Sequence, residues 1–514
     1  MNISSVFYHG SDREVLFHVK SLESLESRTN KKLYENVNSI CLGLTDLGIK
    51  KGDRVLILTG ITIETVELLL AVFNLGAVAV PVNPYSSVSS LKEIVESIKP
   101  VCCVSEKTPR DGTLVVLQNI CNIYITIRRG THVKNDNWYL YDDLVMKRSP
   151  GIRFNNFEDS TLALIVHTSG SEGKSKVIRL THKNLTNFFD FHNLIYSQYF
   201  NDTEPDRPIV SIFPFHHLAG ISTCFQGLLM NRPTYLLSHF EPRLYLGLIA
   251  QIKCHYIALV SSMYMSLLNE KKYLEKVDLS SLKICVALGE SCPDELAENI
   301  EKNFGVIVVS AYGCTECLPG IVHAKEDIDK GSIKRGSVGK VLFEEIKLVD
   351  NDGIEREDAG ELWVRNPTVY RCYMDENLNN ERFQDGWFKT KDLFCKDESG
   401  NYFHKGRCDD MFVCNGKNIY PTDIERVLIK NPSIDMVCAG PIKNNKNKVI
   451  PAVLVKLKTP MDKSDIINYF IKHGPLHAVP QLVMIEEELP LSGPGKINRK
   501  EVKRMLQDYS DMQA

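Results

Sequence analysis

A loop of small hydroxylated residues, glycines and lysines directly follows an apolar stretch in the first third of the chain. Residues 162–176 read LALIVHTSGSEGKSK. Glycines let the backbone turn so that its N–H groups converge, hydroxyls add donors, and lysines add positive charge. This composition favours a site for an anion over a plain surface turn. The residues expected to form it are Thr168, Ser169, Gly170, Ser171, Gly173, Lys174 and Lys176.

The same loop resembles the end of a P-loop, whose pattern is G-x-x-x-x-G-K-[ST]. Gly173, Lys174 and Ser175 match that end, but position 168, where the first glycine would stand, holds threonine. The sequence also offers no clear downstream strand ending in the aspartate that such a protein uses for Mg²⁺. A P-loop phosphotransferase is therefore the disfavoured alternative.

Carboxylates and a pair of cysteines mark the second half of the chain. Glu316, in the segment YGCTE, is a hard oxygen ligand suited to Mg²⁺. Asp392 can accept hydrogen bonds from two hydroxyls at once. Cys314 and Cys317 form a C-x-x-C, but a zinc or redox role would need a second pair or a thioredoxin-like context. Neither context is found, so we interpret both cysteines as incidental.

The whole-chain composition is that of an ordinary globular protein. The 514 residues include 61 Lys+Arg and 64 Asp+Glu, giving a net charge of −3, and 43% are hydrophobic. These values disfavour disorder, coiled coil and nucleic-acid binding. The 15 cysteines are scattered, and no secretory signal or membrane-spanning stretch is evident. We therefore expect reduced thiols, no membrane span and a cytoplasmic location.

Strand-like and helix-like stretches alternate over most of the chain, which predicts βαβ units with parallel sheets. Predicted strands cover residues 53–59, 77–82, 208–213, 234–237, 256–260 and 283–288, and the first helix between them covers residues 62–75. The last hundred residues differ, with strands at 434–440 and 449–456 and helices at 463–473 and 499–507. The predicted fold is α/β, with a large N-terminal domain over residues 1–407 and a small α+β C-terminal domain over residues 408–514.

The loop at 168–176 resembles the phosphate loop T-S-G-[ST]-T-G-x-P-K-G of adenylate-forming enzymes, the superfamily of acyl-CoA synthetases, non-ribosomal adenylation domains and firefly luciferase. Further motifs of that superfamily follow in order, over roughly residues 35–505. They are PFHHLAG at 214–220, LGE at 288–290, YGCTE at 312–316, GELWVR at 360–365, GWFKTKDL at 386–393, GRCDD at 406–410, NGKNIYPTDIE at 415–425 and Gly495-Lys496 before Ile497-Asn498-Arg499.

The resemblance implies a nucleotide site for ATP with Mg²⁺. Thr315 would contact the α-phosphate, Glu316 would hold Mg²⁺, and Tyr312 would stack on adenine. Asp392 would bind both ribose hydroxyls, and Arg407 would contact the same ribose or phosphate region. The implied ATP/AMP-binding set comprises Thr168, Ser169, Gly170, Ser171, Gly173, Lys176, Gly289, Glu290, Tyr312, Gly313, Asp392 and Arg407.

The resemblance also implies a catalytic lysine, a hinge and two further sites. Lys496 would neutralise charge where a carboxylate attacks the α-phosphate, and Asp409 would be the hinge about which the small domain swings. Gly416 and Lys417 would line a pantetheine tunnel. His217 is expected near the acid, as one of the catalytic set with Lys496, Thr315 and Glu316. The implied acyl pocket is His217, Gly220, Ser262, Met263, Gly289, Gly313 and Gly320.

Four positions depart from the superfamily pattern. They are Glu172 for the second threonine of the loop, Ser175 for its proline, Val177 for the glycine after the lysine, and Lys391 for the glycine of T-G-D. A catalytically inactive nucleotide-binding relative is thus an alternative, although the residues implied in catalysis are present.

The implied reaction is activation of a small carboxylic acid to acyl-AMP with pyrophosphate release, followed by transfer to a thiol. Amino acid substrates are disfavoured because residues 215–219 (FHHLA) lack the aspartate that pairs with an ammonium group. Aryl, short and fatty acids stay open, as does the choice between CoA and the phosphopantetheine of an acyl or aryl carrier protein. An adenylation-only ligase and a luciferase-like oxygenase are further alternatives.

Overall fold

The computed structural model describes residues 1–513 except 107–110, 119, 128–136, 147–150, 169–175, 200–206, 290–291, 318–319, 342–344, 446 and 492–496. Its strands, in chain order, are β1 Glu14–Ser21, β2 Ser24–Thr29, β3 Arg54–Leu58, β4 Val78–Pro81, β5 Cys102–Ser105, β6 Ile123–Thr126, β7 Trp138–Leu140, β8 Leu162–Thr168, β9 Lys176–Thr181, β10 Ile209–Ser211, β11 Thr234–Leu236, β12 Tyr256–Leu259, β13 Ile284–Leu288, β14 Ile307–Ala311, β15 Ile321–Val322, β16 Lys340–Val341, β17 Glu345–Val349, β18 Glu355–Arg356, β19 Ala359–Arg365, β20 Phe383–Gln384, β21 Trp387–Lys396, β22 Tyr402–Arg407, β23 Phe412–Cys414, β24 Lys417–Ile419, β25 Ile434–Lys443, β26 Val449–Leu457 and β27 Leu482–Ile485.

The helices are α1 Ile3–Val6, α2 Asn30–Asp46, α3 Ile63–Leu75, α4 Val88–Ile98, α5 Asp111–Gln118, α6 Tyr141–Val145, α7 His182–Tyr199, α8 Leu218–Leu229, α9 Pro242–Gln251, α10 Ser261–Asn269, α11 Lys271–Leu274, α12 Asp294–Phe304, α13 Lys325–Asp329, α14 Glu376–Arg382, α15 Pro421–Leu428, α16 Lys463–His473 and α17 Arg499–Met512, with a 3₁₀ turn at Leu476–Ala478. Among the helices of the described ranges, none combines the length and apolar content that crossing a bilayer requires.

Parallel sheets build the larger part of the molecule, as the alternating pattern predicts. One sheet has the order β7-β6-β5-β3-β4-β8-β9, and all its strands run parallel except β9, which pairs antiparallel with β8. A second sheet joins β12, β13 and β14 in parallel. A third has the order β10-β11-β1-β2, in which β10, β11 and β1 are parallel and β2 pairs antiparallel with β1. Strands buried on both faces read as continuous apolar runs, as RVLIL of β3 does.

An antiparallel sheet and a small α+β unit complete the chain. The sheet follows the order β18-β17-β19-β21-β20, with β22 also paired to β21. Beyond it, β25, β26 and β27 form a three-stranded sheet against which α15 and α17 pack. The apolar clusters of this C-terminal part contain only residues from 412 onward, separate from the clusters of the N-terminal part. The predicted fold class is confirmed, whereas the domain boundary at 407/408 stays a prediction.

Candidate active site

The carboxyl ends of β13 and β14 place two of the predicted motifs side by side. The two strands are parallel and in direct register, with Leu288 opposite Ala311. Gly289 follows β13 with φ +81°, a left-handed conformation that suits glycine. Tyr312 begins the YGCTE segment after β14. Glu290, the predicted partner next to Gly289, lies outside the described residues.

Glu316 is held by a tyrosine that the motifs do not contain. Its side chain is only 9% exposed, and the hydroxyl of Tyr373 donates a hydrogen bond to Oε1. Tyr373 is fully buried and is fixed by Asn379, which accepts from the Tyr373 N–H at 3.0 Å and donates to its carbonyl at 2.9 Å. Burial, with the charge of Glu316, raises the pKa of Tyr373 far above its usual value, so the phenol stays a donor.

The surroundings of Glu316 fit the Mg²⁺ that the superfamily uses. The bond from Tyr373 fixes one carboxylate oxygen and so orients the group. Mg²⁺ usually takes one or two protein carboxylates and completes its shell with substrate phosphates and water. In the described part of the chain no group of three or more His, Cys, Asp or Glu side chains could hold a metal alone. Glu316 would hold the ion as a single carboxylate and leave the rest of its shell to phosphate oxygens and water.

Asp392 lies at the centre of a second polar cluster. It stands directly opposite Arg407 in the register of β21 and β22, so the antiparallel ladder brings the two predicted residues together. The Tyr312 hydroxyl donates to Asp392 Oδ2 at 2.6 Å, and Arg407 Nη1 donates to Oδ1 at 3.2 Å. His404 Nε2 lies 3.6 Å from the same Oδ1. Burial opposes ionisation of Asp392, but the hydrogen bond from His404 and the charge of Arg407 outweigh it and lower its pKa.

Arg407 connects the predicted ribose carboxylate to the predicted hinge. Its Nε and Nη2 donate to Oδ1 and Oδ2 of Asp409 at 2.8 and 3.0 Å, a bidentate pair. Burial alone would lower the pKa of Arg407, but the carboxylates of Asp409 and Asp392 raise it, so the guanidinium stays charged. A displacement of Asp409 would therefore act on Arg407 and, through it, on Asp392.

Lys391 occupies a backbone conformation that explains the glycine of the superfamily pattern. Its φ is +61°, in the left-handed region. The Lys391 N–H donates to Glu361 Oε1 at 2.9 Å, and its carbonyl accepts from the Cys408 N–H at 2.8 Å. These bonds hold the turn although a lysine replaces the glycine. The departure thus leaves the local path of β21, and the position of Asp392 after it, in place.

The predicted phosphate loop is closed by a pair of directly opposed residues. Thr168 at the end of β8 faces Lys176 at the start of β9, and residues 169–175 between them lie outside the described residues. Ser169, Gly170, Ser171 and Gly173 of the predicted set, with the departures Glu172 and Ser175, fall in this gap. Burial and the charge of Arg382 lower the pKa of Lys176, while the charge of Glu316 opposes this shift.

Strand β9, which follows the phosphate loop in the sequence, pairs with the segment that contains Tyr373, the tyrosine bonded to Glu316. Ile178 forms an isolated antiparallel bridge with Tyr373. On either side, the Val177 carbonyl accepts from the Met374 N–H at 2.9 Å, and the Arg179 N–H donates to the Cys372 carbonyl at 2.7 Å. Val177, the third departure, thus takes part through its backbone, which does not depend on its side chain.

The predicted acid-binding residues come from the first turns of two helices. His217 is the N-cap residue of α8, and its ring lies 4.4 Å from that of His216, centroid to centroid. Burial, with the charge of His217, lowers the pKa of His216 to about 4, so His216 is neutral at pH 7. Ser262 and Met263 lie half-buried in the first turn of α10.

The predicted pocket glycines differ in their surroundings. A Cβ on Gly220 would stand 2.3 Å from the Phe213 carbonyl oxygen, so close packing of α8 on the preceding turn by itself requires glycine there. Gly320 is buried, whereas Gly313 is exposed. The acid-binding roles of this set stay predictions.

In the C-terminal part, the predicted tunnel residues lie on a tight hairpin. Cys414 pairs with Lys417 across a two-residue turn, in which Asn415 and Gly416 have φ of +50° and +74°. Asn-Gly with positive φ at both positions is the preferred two-residue hairpin turn. Gly416 and Lys417 are both exposed at its tip. The tunnel stays a prediction.

The predicted catalytic Lys496 lies outside the described residues, but both flanks of its segment are anchored. Leu491 and Ile497 form an antiparallel bridge. Arg499, three residues beyond the lysine, makes a bidentate pair with Glu425 at 2.8 and 2.7 Å. These contacts hold the residues on either side of the segment that bears Lys496.

Comparisons with known proteins decide the family. The model of the AMP-binding enzyme family matches residues 8–374. The chain belongs to the AMP-binding enzyme family. The long-chain-fatty-acid–CoA ligase of Salmonella typhimurium is 27% identical over 512 residues, covering 93% of this chain and 90% of that protein. The predicted adenylate-forming superfamily is therefore confirmed.

Two solved structures have the same fold. The anthranilate CoA ligase AuaEII in complex with anthranoyl-AMP superposes with a TM-score of 0.86 at 20% identity, covering 99% of this chain and 98% of that one. The O-succinylbenzoate coenzyme A synthetase of Bacillus subtilis, in complex with ATP and magnesium ion, gives 0.82 at 23% identity, covering 98% and 99%. The names of these relatives support the predicted enzyme class, an acid–thiol ligase.

Proposed function

We propose that this AMP-binding enzyme activates a carboxylic acid with ATP to an acyl-AMP, releases pyrophosphate, and then transfers the acyl group to the thiol of CoA. The observation that carries the proposal is the connected set Tyr312–Asp392–Arg407–Asp409. It combines an ionised, buried carboxylate suited to ribose hydroxyls with a charged arginine that reaches the predicted hinge.

The chain's own residues would divide the work of the first step. Asp392 would accept hydrogen bonds from the ribose hydroxyls, and Lys176 and Thr168 would contact phosphate oxygens. Glu316, oriented by Tyr373, would hold Mg²⁺, which neutralises charge on the ATP phosphates. Lys496 would place a cation where negative charge develops as the carboxylate attacks the α-phosphate, and such placement lowers the barrier of a transfer that involves little other chemistry.

The acid we propose is not an amino acid. In the segment 215–219 the side chains are Phe, His, His, Leu and Ala, and none of them carries the negative charge that an ammonium group needs. His216 is neutral at pH 7 and cannot pair with a second carboxylate as a cation. Aryl and fatty acids both fit these properties. The named relatives act on both kinds, a long-chain fatty acid and anthranilate.

The acceptor we propose is CoA, because the relatives are named CoA ligases. A carrier-protein phosphopantetheine presents the same thiol and is the alternative acceptor. In either case Gly416 and Lys417 would flank the arm, with Lys417 placing a positive charge at an exposed hairpin tip.

The test is pyrophosphate release with ATP and Mg²⁺ over a panel of aryl, short, medium and long acids, with hydroxylamine to trap the adenylate. Release with one class, followed by thioester formation when CoA is added, is the expected result. Adenylate without thioester indicates an adenylation-only ligase or a carrier-protein acceptor. Light or oxygen uptake would indicate a luciferase-like oxygenase. AMP binding without pyrophosphate release from any acid would refute the proposal in favour of a non-catalytic nucleotide-binding protein.

A further inference from the structure

Two cysteine sulfurs lie almost in contact beside the residues assigned to ATP. Cys314 and Cys317 bracket Thr315 and Glu316 in the sequence, and their Sγ atoms are 3.3 Å apart. The Cys314 N–H donates to the Cys317 carbonyl at 3.3 Å, so the four residues form one tight turn. A C-x-x-C pattern gives the spacing of two cysteines but not the distance between their sulfurs. The interpretation of this pair as incidental therefore rests on the sequence alone.

The geometry permits a disulfide without rearrangement of other elements. A disulfide has a sulfur–sulfur distance of about 2.05 Å, so the two Sγ atoms need to approach by only about 1.3 Å. Both cysteines are on the same turn, and the movement is therefore local. Cys314 is partly exposed and Cys317 is buried, which makes Cys314 the sulfur that a reagent from solution reaches first.

A bond between the two sulfurs would contract the turn, while residues on both sides of Thr315 are held by hydrogen bonds to other strands and loops. Tyr312 is held by its hydrogen bond to Asp392 at 2.6 Å, and Glu316 by the bond from Tyr373. Contraction of the turn would displace Thr315, which lies between these anchors, and would pull the backbone of Glu316 against the bond that holds its carboxylate. A shift of about 1 Å in a positioning element can reduce a rate by about 10²-fold.

We propose that Cys314 and Cys317 form a redox modification site that takes low-molecular-weight disulfides, and that its oxidation to an intramolecular disulfide slows adenylation. The consequence for activity rests on the proposed function, whereas the modification itself does not. Neither cysteine is assigned to substrate, whereas the two residues between them, Thr315 and Glu316, belong to the adenylation site that the modification would control.

The chemistry is two successive thiol–disulfide exchanges. The Cys314 thiolate attacks one sulfur of the small disulfide, and the other sulfur leaves as a small thiolate. The Cys317 thiolate then attacks Cys314 Sγ, and the second small thiolate leaves. Two protein thiols are oxidised, one small disulfide is reduced to two thiols, and the two cysteine protons end on the released thiolates.

A third cysteine near the turn is not expected to take part. Cys372 is 2% exposed, and its electrostatic neighbours include Glu316 and Cys314. Burial and those two groups raise the pKa of Cys372 well above its ordinary value. Because the thiolate is the reactive form, Cys372 reacts slowly in comparison with a partly exposed thiol.

The first measurement is chemical and needs no substrate. The full-length reduced protein is incubated with glutathione disulfide, alkylated in denaturant and mapped by peptide mass spectrometry. The expected result is one internally cross-linked segment that contains Cys314 and Cys317. It should have two fewer alkylatable thiols than the reduced protein, and its mass should be lower by that of two hydrogen atoms. Cys314→Ala and Cys317→Ala should not form this link, and the control Cys395→Ala should form it as the wild type does. A lasting glutathione adduct, a disulfide elsewhere or no reaction would overturn the proposal.

The second measurement joins the modification to activity. Oxidised wild type should lose pyrophosphate release by about tenfold or more and regain it with dithiothreitol. Both alanine variants should keep their reduced-state rate in glutathione disulfide. A mapped Cys314–Cys317 disulfide with unchanged activity would overturn the switch. If the reduced protein is inactive with every acid but the mapped disulfide still forms, the modification site stands and the proposed function fails.

Discussion

Replacement of Asp392 by asparagine is the sharpest single test of the nucleotide site. The Asp392 side chain is 11% exposed, and it accepts hydrogen bonds from Tyr312 at 2.6 Å and from Arg407 at 3.2 Å. Its lowered pKa keeps it ionised at neutral pH. Asparagine has nearly the same shape, but it carries no charge and only one of its two terminal atoms can accept a hydrogen bond.

The expected magnitude follows from the bonds that the ribose would make. A hydrogen bond to a charged group contributes about 1.5–3 kcal/mol, and 1.4 kcal/mol corresponds to a tenfold change. If the carboxylate binds both ribose hydroxyls, removal of the 2′-hydroxyl from ATP should lower kcat/KM of the wild type by about 30-fold. In Asp392→Asn the penalty for 2′-deoxy-ATP should fall to about threefold, because a neutral hydrogen bond contributes about 0.5–1.5 kcal/mol.

The assay is pyrophosphate release with ATP and with 2′-deoxy-ATP for both proteins. The ratio of the two kcat/KM values cancels any general loss of activity in the variant. Asp397→Asn is the matched control, since Asp397 follows the same strand and bonds only its local turn, through Ser399 and Asn401. Its ratio should equal that of the wild type. Full discrimination against 2′-deoxy-ATP by Asp392→Asn would refute the assignment of this carboxylate to the ribose.

Other regions of the chain give three further tests. Burial raises the pKa of Glu67 from 4.5 to about 7, so the folded protein favours the protonated form. The free energy of unfolding of the wild type, relative to Glu67→Gln, should therefore decline by up to about 3 kcal/mol as pH rises from about 4.5 through 7. Urea unfolding at several pH values measures this, and a pH-independent difference would contradict it. Lys391→Gly should be about 1 kcal/mol more stable than Lys391→Ala, because φ +61° strains any residue with a Cβ; equal urea midpoints would count against the strain. Lys496→Ala should abolish adenylation but spare thioester formation from supplied acyl-AMP, and equal loss of both half-reactions would disprove that division of roles.

Local patterns predicted the elements of the fold closely. The helix predicted at 463–473 is α16, Lys463–His473, and the strand predicted at 283–288 is β13, Ile284–Leu288. Apolar periodicity and turn residues act over short stretches, so a single sequence carries them. Helix α17 continues to Met512, five residues beyond the predicted end at 507. The prediction stopped early because the last turn is polar and carries no apolar pattern.

The partners of the candidate site could not be predicted in the same way. Tyr373 reaches Glu316 across 57 positions of the chain, and Tyr373 is itself bridged to Ile178 of β9. No spacing rule relates residues so far apart. The pair Asp392–Arg407 was predicted only as two motif positions, and the register of β21 with β22 is what makes them a cluster.

The structure also bears on the departures from the superfamily pattern. Lys391 keeps the left-handed turn that a glycine would make, and the bonds from its N–H to Glu361 and from Cys408 to its carbonyl hold it there. Val177 contributes through its carbonyl, which any residue supplies. The lysine therefore affects stability, by about 1–2 kcal/mol for a left-handed residue with a Cβ, while Asp392 stays ionised, buried and paired with Arg407. Because the lowered pKa keeps this buried carboxylate charged, and its partners Tyr312 and Arg407 stay in place, the residue assigned to the ribose is intact despite both changes. A working adenylating enzyme is therefore favoured over an inactive relative.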